Sequence, residues 1–403
     1  MFPVEQAPSL PRLSRRASLA AVIVGALALL GACSATTDLF STSPPPAPTP
    51  APETTAIGSG QVKVGLILPL SAGGNAGVAA QSMKNAAEMA LAEFNNPNIQ
   101  LLVKDDGGSS AGAQQAAQQA LEEGAEIILG PLFAHSVGVV GSAARARGVP
   151  VIAYSTDASV ATRGVYLLSF LPESDVNRIV DYAVDNGKRS FAALMPDNAY
   201  GTVVEGAFKQ AVARKGARIV ALERYTLDPG RLQSAARIVA QAARGADAIF
   251  IPDGADAVPQ VVQALATAGL GGRRLQLMGT GLWDDPRIFS DPALHGGWYA
   301  APDTQGFRNF SNRYRSRFGQ DPVRTATLAY DSVALVAALV KTQGERRFTE
   351  PVLTNPSGFT GIDGLFRFRP DGTNQRGLAV LRVAPGGGQV ISPPPRAFGG
   401  SGT

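Results

Sequence analysis

The chain has 403 residues, which is enough for two cores of ordinary size, so we expect two lobes with tails. Its formal net charge of +4 is small for this length, and Arg12, Arg15 and Arg16 contribute to it from a segment that we expect to be removed. The balance of charge therefore gives no reason to expect a nucleic-acid partner. An apolar content of 45% is typical of a soluble globular body.

The amino terminus has the layout of an export signal. A basic pair at 15–16 precedes an apolar run at 20–30 that is too short to span a membrane comfortably. The run ends in Leu30-Gly31-Ala32-Cys33, which is similar to a bacterial lipobox, and this cysteine is the only one in the chain. We predict a signal peptide at 1–32, favouring Sec over twin-arginine export, and lipidation of Cys33. The exported body then contains no disulfide.

The Pro-, Ala-, Thr- and Ser-rich segment 33–60 is predicted to be a tether between the lipid and the folded body, because such a composition cannot bury a core. After it, short apolar runs alternate with amphipathic helical stretches. We predict strands at 62–68, 99–103, 126–129, 150–153 and 165–170, and helices at 78–95, 111–123 and 136–147. Each β-α-β step implies parallel pairing with a right-handed crossover, so this part is predicted to be one open, doubly wound sheet.

The same alternation begins again after Gly187. The predicted strands are 191–195, 219–225, 248–251, 275–278 and 297–301, and the helices are 202–215, 231–244 and 258–268. We expect the chain to return to the first lobe for two helices, at 307–318 and 325–343. A hairpin of 365–368 and 378–383 around Pro370-Asp371-Gly372 is then predicted, before a loose Gly- and Pro-rich tail.

The segment 127–136 is predicted to face a ligand. A buried strand is broken by Gly130-Pro131, and a Ser-containing loop then leads into a helix. In parallel α/β sheets, loops at the carboxyl ends of the strands line the ligand crevice, and the N–H groups of the next helix attract anions.

Six ordered segments resemble the type I periplasmic binding proteins of the leucine/isoleucine/valine class, over roughly 62–383. The segments are Val64 to Ser71, Leu102 to Asp106, Ile128 to Pro131, Gly148 to Ile152, Asp197 to Gly201 and Leu365 to Gly372. The resemblance implies an α/β fold with two Rossmann-like lobes and parallel sheets, joined by a hinge of three crossovers and closing on a small ligand. The predicted domains are a first lobe of 61–172 plus 303–345, a second lobe of 173–302 plus 346–385, and a flexible tail at 386–403.

In amino-acid-binding members of that family, first-lobe loops hold the ligand carboxylate, a second-lobe aromatic covers the ligand, and an acidic residue pairs with its ammonium group. The resemblance places Tyr200 at the covering aromatic. It places Ala134 where a carboxylate-binding Ser is usual, with Ser136 two residues later, and Gly281 at the acidic position. The ligand-binding candidates are Ser71, Phe133, Ala134, Ser136, Ser155, Thr156, Asp157, Tyr200, Asp253, Gly281 and Trp283.

Several candidates have plainer alternatives. Tyr200 and Trp283 also fit as packing residues, and the acidic pair Asp105-Asp106 is more typical of a turn cap than of a metal site. The two histidines, His135 and His295, lie in unrelated contexts. We therefore predict no Ser-His-Asp set, no zinc site, no cofactor and no enzyme activity.

Two functions remain open from the sequence. The first is a periplasm-facing, solute-binding lipoprotein that captures an amino-acid-like or amide ligand for an ABC permease. The second is an envelope regulator similar to the penicillin-binding protein activators, which are outer-membrane lipoproteins that stimulate peptidoglycan synthases. Ser34 after Cys33 favours sorting to the outer membrane. The best-known activators carry a helical repeat domain before this fold, whereas only the tether precedes it here.

Overall fold

The folded body consists of two lobes, each built on a mainly parallel sheet between helices. The computed structural model describes residues 55–95, 97–271 and 275–398. The predicted signal peptide, Cys33 and most of the predicted tether lie outside these residues. Within the described part of the chain, no helix is both long and apolar enough to cross a membrane.

The first lobe begins with a β-α alternation. Its strands are β1 (Thr55–Ile57), β2 (Val62–Leu68), β3 (Ile99–Asp105), β4 (Ile127–Leu129), β5 (Val151–Ala153) and β6 (Val165–Leu167), and its helices are α1 (Gly74–Glu93), α2 (Ser110–Glu122) and α3 (Ala134–Arg145). The sheet order is β1-β3-β2-β4-β5-β6, with all pairs parallel except β1 with β3. This confirms the predicted doubly wound sheet.

The second lobe repeats this plan. Its strands are β7 (Ser190–Pro196), β8 (Arg218–Tyr225), β9 (Ala248–Phe250), β10 (Gln276–Gly279) and β11 (Trp298–Ala301), and its helices are α4 (Pro172–Asp185), α5 (Ala199–Arg214), α6 (Pro229–Ala242), α7 (Val258–Leu265) and α8 (Pro286–Phe289). These five strands pair in parallel in the order β11-β10-β9-β7-β8.

The chain then returns to the first lobe and finally to the second. The remaining elements are helices α9 (Thr304–Phe318), α10 (Ala326–Gln343) and α11 (Glu350–Leu353), and strands β12 (Phe359–Gly361), β13 (Gly364–Phe368), β14 (Asn374–Arg376), β15 (Ala379–Ala384) and β16 (Gly387–Ser392). Helix α10 packs along α1, and β15 and β16 extend the second sheet beside β11. The two lobes are therefore joined by three crossovers, at 168–171, 302–303 and 377–378.

Both sheets are buried on two faces, which explains their continuous apolar strands. In β2, every residue except Lys63 is buried. One face of the first sheet packs on α1 and α10, and the other packs on α2 and α3. The second sheet likewise has one cluster on each face. The lobes thus have separate cores, with the strand ends left to form a site.

Charged contacts attach the third sheet, β12-β13-β14, to the first lobe. Arg324 donates through Nη1 and Nη2 to the two carboxylate oxygens of the buried Asp363, at 3.0 and 2.5 Å. Asp331 on α10 accepts from the N–H of Ile362 at 2.8 Å. The turn between β12 and β13 is therefore fixed against α10.

The structure differs from the predicted boundaries after residue 345. Leu353, Phe366 and Phe368 pack in the first-lobe core, so the assignment of all of 346–385 to the second lobe is wrong. Strand β13 forms its hairpin with β14 rather than with 378–383, because the turn at 369–373 brings Asn374 opposite Phe368.

Two segments predicted to lack structure form edge strands. Residues 387–392 of the predicted flexible tail pair with β15 as β16. Residues 55–57 of the predicted tether pair with β3 as β1. In both cases, backbone hydrogen bonds to an existing sheet edge stabilise a segment with little apolar content of its own.

Candidate ligand-binding cleft

The carboxyl ends of the parallel strands in both lobes carry most of the candidate residues, as expected for a doubly wound sheet. In the first lobe, the relevant loops follow β2, β4 and β5. In the second lobe, they follow β7, β9 and β10.

Gly130 fixes the direction of the loop after β4. Its φ is +94°, and a Cβ there would lie 2.1 Å from the carbonyl oxygen of Ile67, so only glycine fits. A cis peptide bond joins Gly130 to Pro131. Phe133 then precedes α3, and its ring stacks on that of His135 with centroids 5.5 Å apart. Ala134, half-buried, begins the helix and brings no hydroxyl to this place.

Ser136 does not replace the hydroxyl that Ala134 lacks. It lies on the buried face of α3 together with Val137 and Val140, which pack on the sheet. Its Oγ is buried and has no hydrogen-bond partner among the described residues. A helix presents residues two positions apart on different faces, so a hydroxyl at 136 is turned toward the core instead of the loop.

Ser71 is tied to the end of β3. Its backbone N–H donates to both carboxylate oxygens of Asp105, at 3.2 and 3.1 Å. Burial raises the pKa of Asp105, but hydrogen bonds from the Ser71 side chain and from the N–H groups of Gly107, Ser71 and Leu70 outweigh it, so this pKa lies below its ordinary value. The carboxylate therefore acts as a loop cap, and no group of three potential metal ligands occurs in the described part of the chain.

The loop after β5 presents Ser155, Thr156 and Asp157. Ser155 is buried, and its Oγ accepts from the N–H of Asp157 at 3.1 Å. Thr156 and Asp157 are exposed. The Asp157 carboxylate accepts from the N–H and the hydroxyl of Ser159, at 2.9 and 2.6 Å. Of this loop, Thr156 keeps the hydroxyl most available to a ligand.

In the second lobe, Tyr200 is positioned by the first turn of α5. Asn198 caps this helix by accepting from the N–H of Gly201 at 2.8 Å. The Tyr200 hydroxyl hydrogen-bonds to Thr280 Oγ1 at 2.9 Å, across 80 positions of sequence. Burial raises the pKa of Tyr200, and nearby carboxylates reinforce the shift. The phenol is therefore a neutral hydrogen-bonding group at the end of β10.

Asp175 occupies the space next to the predicted acidic position at Gly281. The N–H of Gly281 donates to Asp175 Oδ2 at 2.9 Å, and a Cβ on Gly281 would meet that oxygen at 3.1 Å. Burial raises the pKa of Asp175 to about 7, against the hydrogen bond from Gly281 and the charge of Arg376, which lower it, and Glu173 raises it further. Sequence reasoning missed this residue, although its place in the first turn of α4, just after a crossover, was a usable signal.

Asp253 lies at the end of β9 and is held by its own lobe. Its Oδ2 accepts from the Tyr225 hydroxyl at 2.5 Å, and its Oδ1 accepts from the N–H of Gly254 at 2.8 Å. Asp253 contributes to the raised pKa of Tyr200, as do Asp175 and Glu173. The structure therefore brings Tyr200 to Thr280 and Asp175 to the adjacent Gly281, and Asp253 acts on the pKa of Tyr200.

Trp283 is a packing residue and does not face the cleft. It is fully buried in the second-lobe core, and its Nε1 donates to the carbonyl of Ile251 at 3.0 Å. A Cβ on Gly279 or Gly297 would lie within 3 Å of its ring, so both glycines make room for it. Its prediction as a ligand wall is wrong, because the turn after Gly281 directs its ring inward.

Two carboxylates, Asp157 of the first lobe and Glu173 of the second, face each other across the cleft. Burial raises the pKa of Glu173, a hydrogen bond from its own backbone lowers it, and Asp157 of the first lobe raises it. Glu173 Oε2 is buried without a hydrogen-bond partner among the described residues. Glu173, Asp175 and Asp253 therefore make the second-lobe side of the cleft acidic, and this side suits a cationic or hydrogen-donating group.

Comparison with known proteins agrees with this architecture. Residues 61–389 match the family model for periplasmic binding proteins, so the chain belongs to that family. The family is one of solute-binding proteins and implies a periplasmic location.

The structure is similar to a protein from Rhodospirillum rubrum described as a branched-chain amino acid ABC transporter, with a TM-score of 0.73 and 20% identity over 82% of this chain and 99% of that one. It is also similar to an ABC transporter substrate-binding protein from Sphaerobacter thermophilus, with a TM-score of 0.66 and 22% identity over 84% and 98%. At these identities, the similarity concerns the fold.

One curated relative, an uncharacterized protein from Rickettsia prowazekii, is 22% identical over 177 residues. The match covers 44% of this chain and 47% of that protein, so the chain spans about half the length of that relative.

Proposed function

We propose that this protein is a solute-binding lipoprotein that captures a small amino-acid-like or amide ligand between its lobes for an ABC importer. The proposal is carried by two contacts at the carboxyl end of β10, where Tyr200 bonds to Thr280 and Asp175 bonds to Gly281. The residues in these contacts are up to 106 positions apart in sequence. Residues so far apart meet there because the fold brings strand ends together, which is where such folds hold ligands.

The ammonium or amide N–H end of the ligand is assigned to the second lobe. Asp175 has one carboxylate oxygen fixed by Gly281, and it lies beside the neutral phenol of Tyr200. An ammonium group bound at this acidic surface donates a charge-assisted hydrogen bond to a carboxylate. Its positive charge also offsets the electrostatic repulsion between Glu173 and Asp157 when the lobes close.

The carbonyl or carboxylate end is assigned to the first lobe, to Thr156 and the backbone N–H groups of its loop. Because Ala134 brings no hydroxyl and Ser136 faces the core, this end has fewer anchors than the other. We therefore expect ligands that depend on their amine or amide nitrogen more than on a carboxylate. Two solved neighbours hold different molecules, leucine in a protein from Desulfitobacterium hafniense and 3,4-dihydroxybenzoic acid in one from Rhodopseudomonas palustris, which is consistent with a fold that changes ligand by changing a few loop residues.

Two variants and a control test the site by calorimetric titration of the full-length protein. Thr280→Val removes the hydroxyl that orients Tyr200, and Asp175→Asn removes the charge while retaining an oxygen for Gly281. Loss of one charge-assisted hydrogen bond corresponds to about a 10- to 100-fold weaker affinity for an ammonium ligand. Asp175→Asn should spare a neutral amide. Tyr182→Phe, which removes a hydroxyl on α4 beside Trp298, is the matched control and should bind normally.

The site would be refuted if Thr280→Val and Asp175→Asn bound every ligand as tightly as the wild type and Tyr182→Phe do. Lipidation is tested separately, since Cys33 lies outside the described residues. A palmitate analogue should label the protein in cells and fail to label Cys33→Ala; persistent labelling would contradict the lipoprotein assignment. An interaction with a peptidoglycan synthase that Tyr200→Ala leaves intact would favour the regulator over the importer.

A further inference from the structure

A second polar groove lies beside the cleft, where the two lobes meet at α4 and β14. Its volume is about 850 Å³, within the range of pockets that enclose ligands of drug-like size. One wall is a stripe along α4 that includes Glu173, Asn177 and Asp181, whose spacing of four places them on one helix face. Residues 374–376 and the proline-containing segment 393–398 form other parts of the wall. Tyr200, Thr280 and Asp253 do not line it.

The groove collects most of the unsatisfied polar atoms of the described chain. Among all described residues, seven buried side-chain atoms have no hydrogen-bond partner. Four of these seven atoms belong to Glu173, Asn374 and Arg376, which line this groove. A buried donor or acceptor without a partner costs about 1–3 kcal/mol, and more when it is charged. Four such atoms in one groove make it a candidate binding site.

The orientations of Asn374 and Arg376 are fixed by the crossover beside them. Asn374 Nδ2 donates to the carbonyls of Leu167 and Ser169, at 2.8 and 2.9 Å, which leaves Oδ1 as a free acceptor. Arg376 Nε donates to the carbonyl of Ser169 at 2.9 Å, and its guanidinium lies 4.6 Å from the centroid of Phe170. These contacts leave Nη1 and Nη2 without a hydrogen-bond partner. Burial lowers the pKa of Arg376, and the charges of Asp363, Asp331 and Asp175 oppose that shift.

The free groups have complementary chemistry. Glu173 Oε2 and Asn374 Oδ1 accept hydrogen bonds, whereas the Arg376 Nη atoms donate them. Asn374 and Arg376 alternate along β14 and are only 3% and 6% exposed, so they share its inner face. A ligand that satisfies all three carries an ammonium group at one end and a carboxylate at the other. The size of the groove suits a short chain better than a single amino acid.

We propose that this groove binds a short zwitterionic peptide, with its amino terminus at Glu173 and Asn374 and its carboxylate at Arg376. The groove shares Glu173 with the acidic side of the proposed solute cleft, and it differs from the cleft in that Tyr200, Thr280 and Asp253 do not line it. Because β14 belongs to the first lobe and α4 to the second, a peptide here contacts both.

Calorimetric titration of the full-length protein with trialanine, N-acetyl-trialanine and trialanine amide tests the proposal. Glu173→Gln is nearly isosteric and removes the charge that pairs with the ammonium group. We expect this variant and N-acetylation each to weaken binding about 10-fold or more, and the two together to cost little more than one alone, because they remove the same contact. Arg376→Lys tests the contact with the peptide carboxylate. Replacing trialanine by its amide should weaken binding less in this variant than in the wild type.

Two controls place the peptide. Glu122→Gln, an exposed change on α2, and Tyr200→Phe, a change in the cleft, should leave trialanine affinity within about two-fold. The proposal is overturned if trialanine gives no binding heat up to about 1 mM. It is also overturned if N-acetylation is as costly in Glu173→Gln as in the wild type, or if Tyr200→Phe abolishes binding. The last result would place the peptide in the cleft.

Discussion

Replacing Asp175 with Asn should change how the stability of the protein depends on pH. The pKa of Asp175 is raised from an ordinary value of 3.8 to about 7, mainly by burial. For a carboxyl group whose pKa is raised by folding, the stability contribution is complete below pH 3.8 and is lost as the pH rises to 7, since the unfolded chain ionises first. The full shift corresponds to about 4 kcal/mol of unfolding free energy.

The Asn side chain is neutral at every pH and retains an oxygen for the N–H of Gly281. We expect Asp175→Asn to match the wild type near pH 3.5 and to be more stable at pH 8, by roughly 2 kcal/mol because the side chain keeps some exposure. Urea unfolding at both pH values, with Glu122→Gln as an exposed control, measures this. A variant that is no more stable than the wild type at pH 8, or that differs equally at both pH values, would contradict the raised pKa.

Three further substitutions and one control substitution test the packing. Gly130→Ala should lower the unfolding free energy by about 3 kcal/mol or more, because its Cβ would meet the carbonyl of Ile67. The control Gly138→Ala on α3 has open space and should raise the unfolding free energy by about 0.5–1 kcal/mol. Urea unfolding measures both. Trp283→Ala should cost about 3–5 kcal/mol in the same assay, and a negligible loss would contradict its core position. Phe366→Ala should speed amide exchange in β2 and leave β9 protected; the reverse pattern would place it in the second lobe.

The alternation of strands and helices was predictable because each parallel strand is buried on both faces and reads as an apolar run. Strands β2, β3 and β4 lie at the predicted positions along the chain, with ends that differ by at most two residues. Gly130 was predictable as a breaker for the same reason, since it ends such a run. The two lobes and their three crossovers followed from the resemblance to a family with that plan, whereas the order of the strands in each sheet was not predicted.

The errors occurred where contacts are distant in sequence. The local pattern of β13 and β15 is typical of two hairpin strands, but β15 pairs with β11, about 80 positions earlier, and no short-range signal records that choice. Strand β1 depends on an edge supplied by β3, and its own residues carry little strand signal.

The site was only partly predictable for a similar reason. Tyr200 and Gly281 were placed by the resemblance, and in the structure Tyr200 bonds to Thr280, the residue before Gly281. Asp175 reaches that spot from 106 positions earlier, through a hydrogen bond that sequence spacing does not reveal. Ser136 and Trp283 have the residue types of a binding site, but the helix face and the turn that carry them direct both side chains into the core.

The most direct test of the account is thermal unfolding of the full-length protein with a panel of amino acids, small amides and peptidoglycan fragments. A ligand that binds only the folded cleft stabilises it by about 4 kcal/mol at a thousand times its dissociation constant. We predict that at least one amine or amide of the panel produces such a shift in the wild type, and that Thr280→Val reduces it. No shift across the panel, with a penicillin-binding protein recovered as a partner, would contradict the proposed solute-binding function.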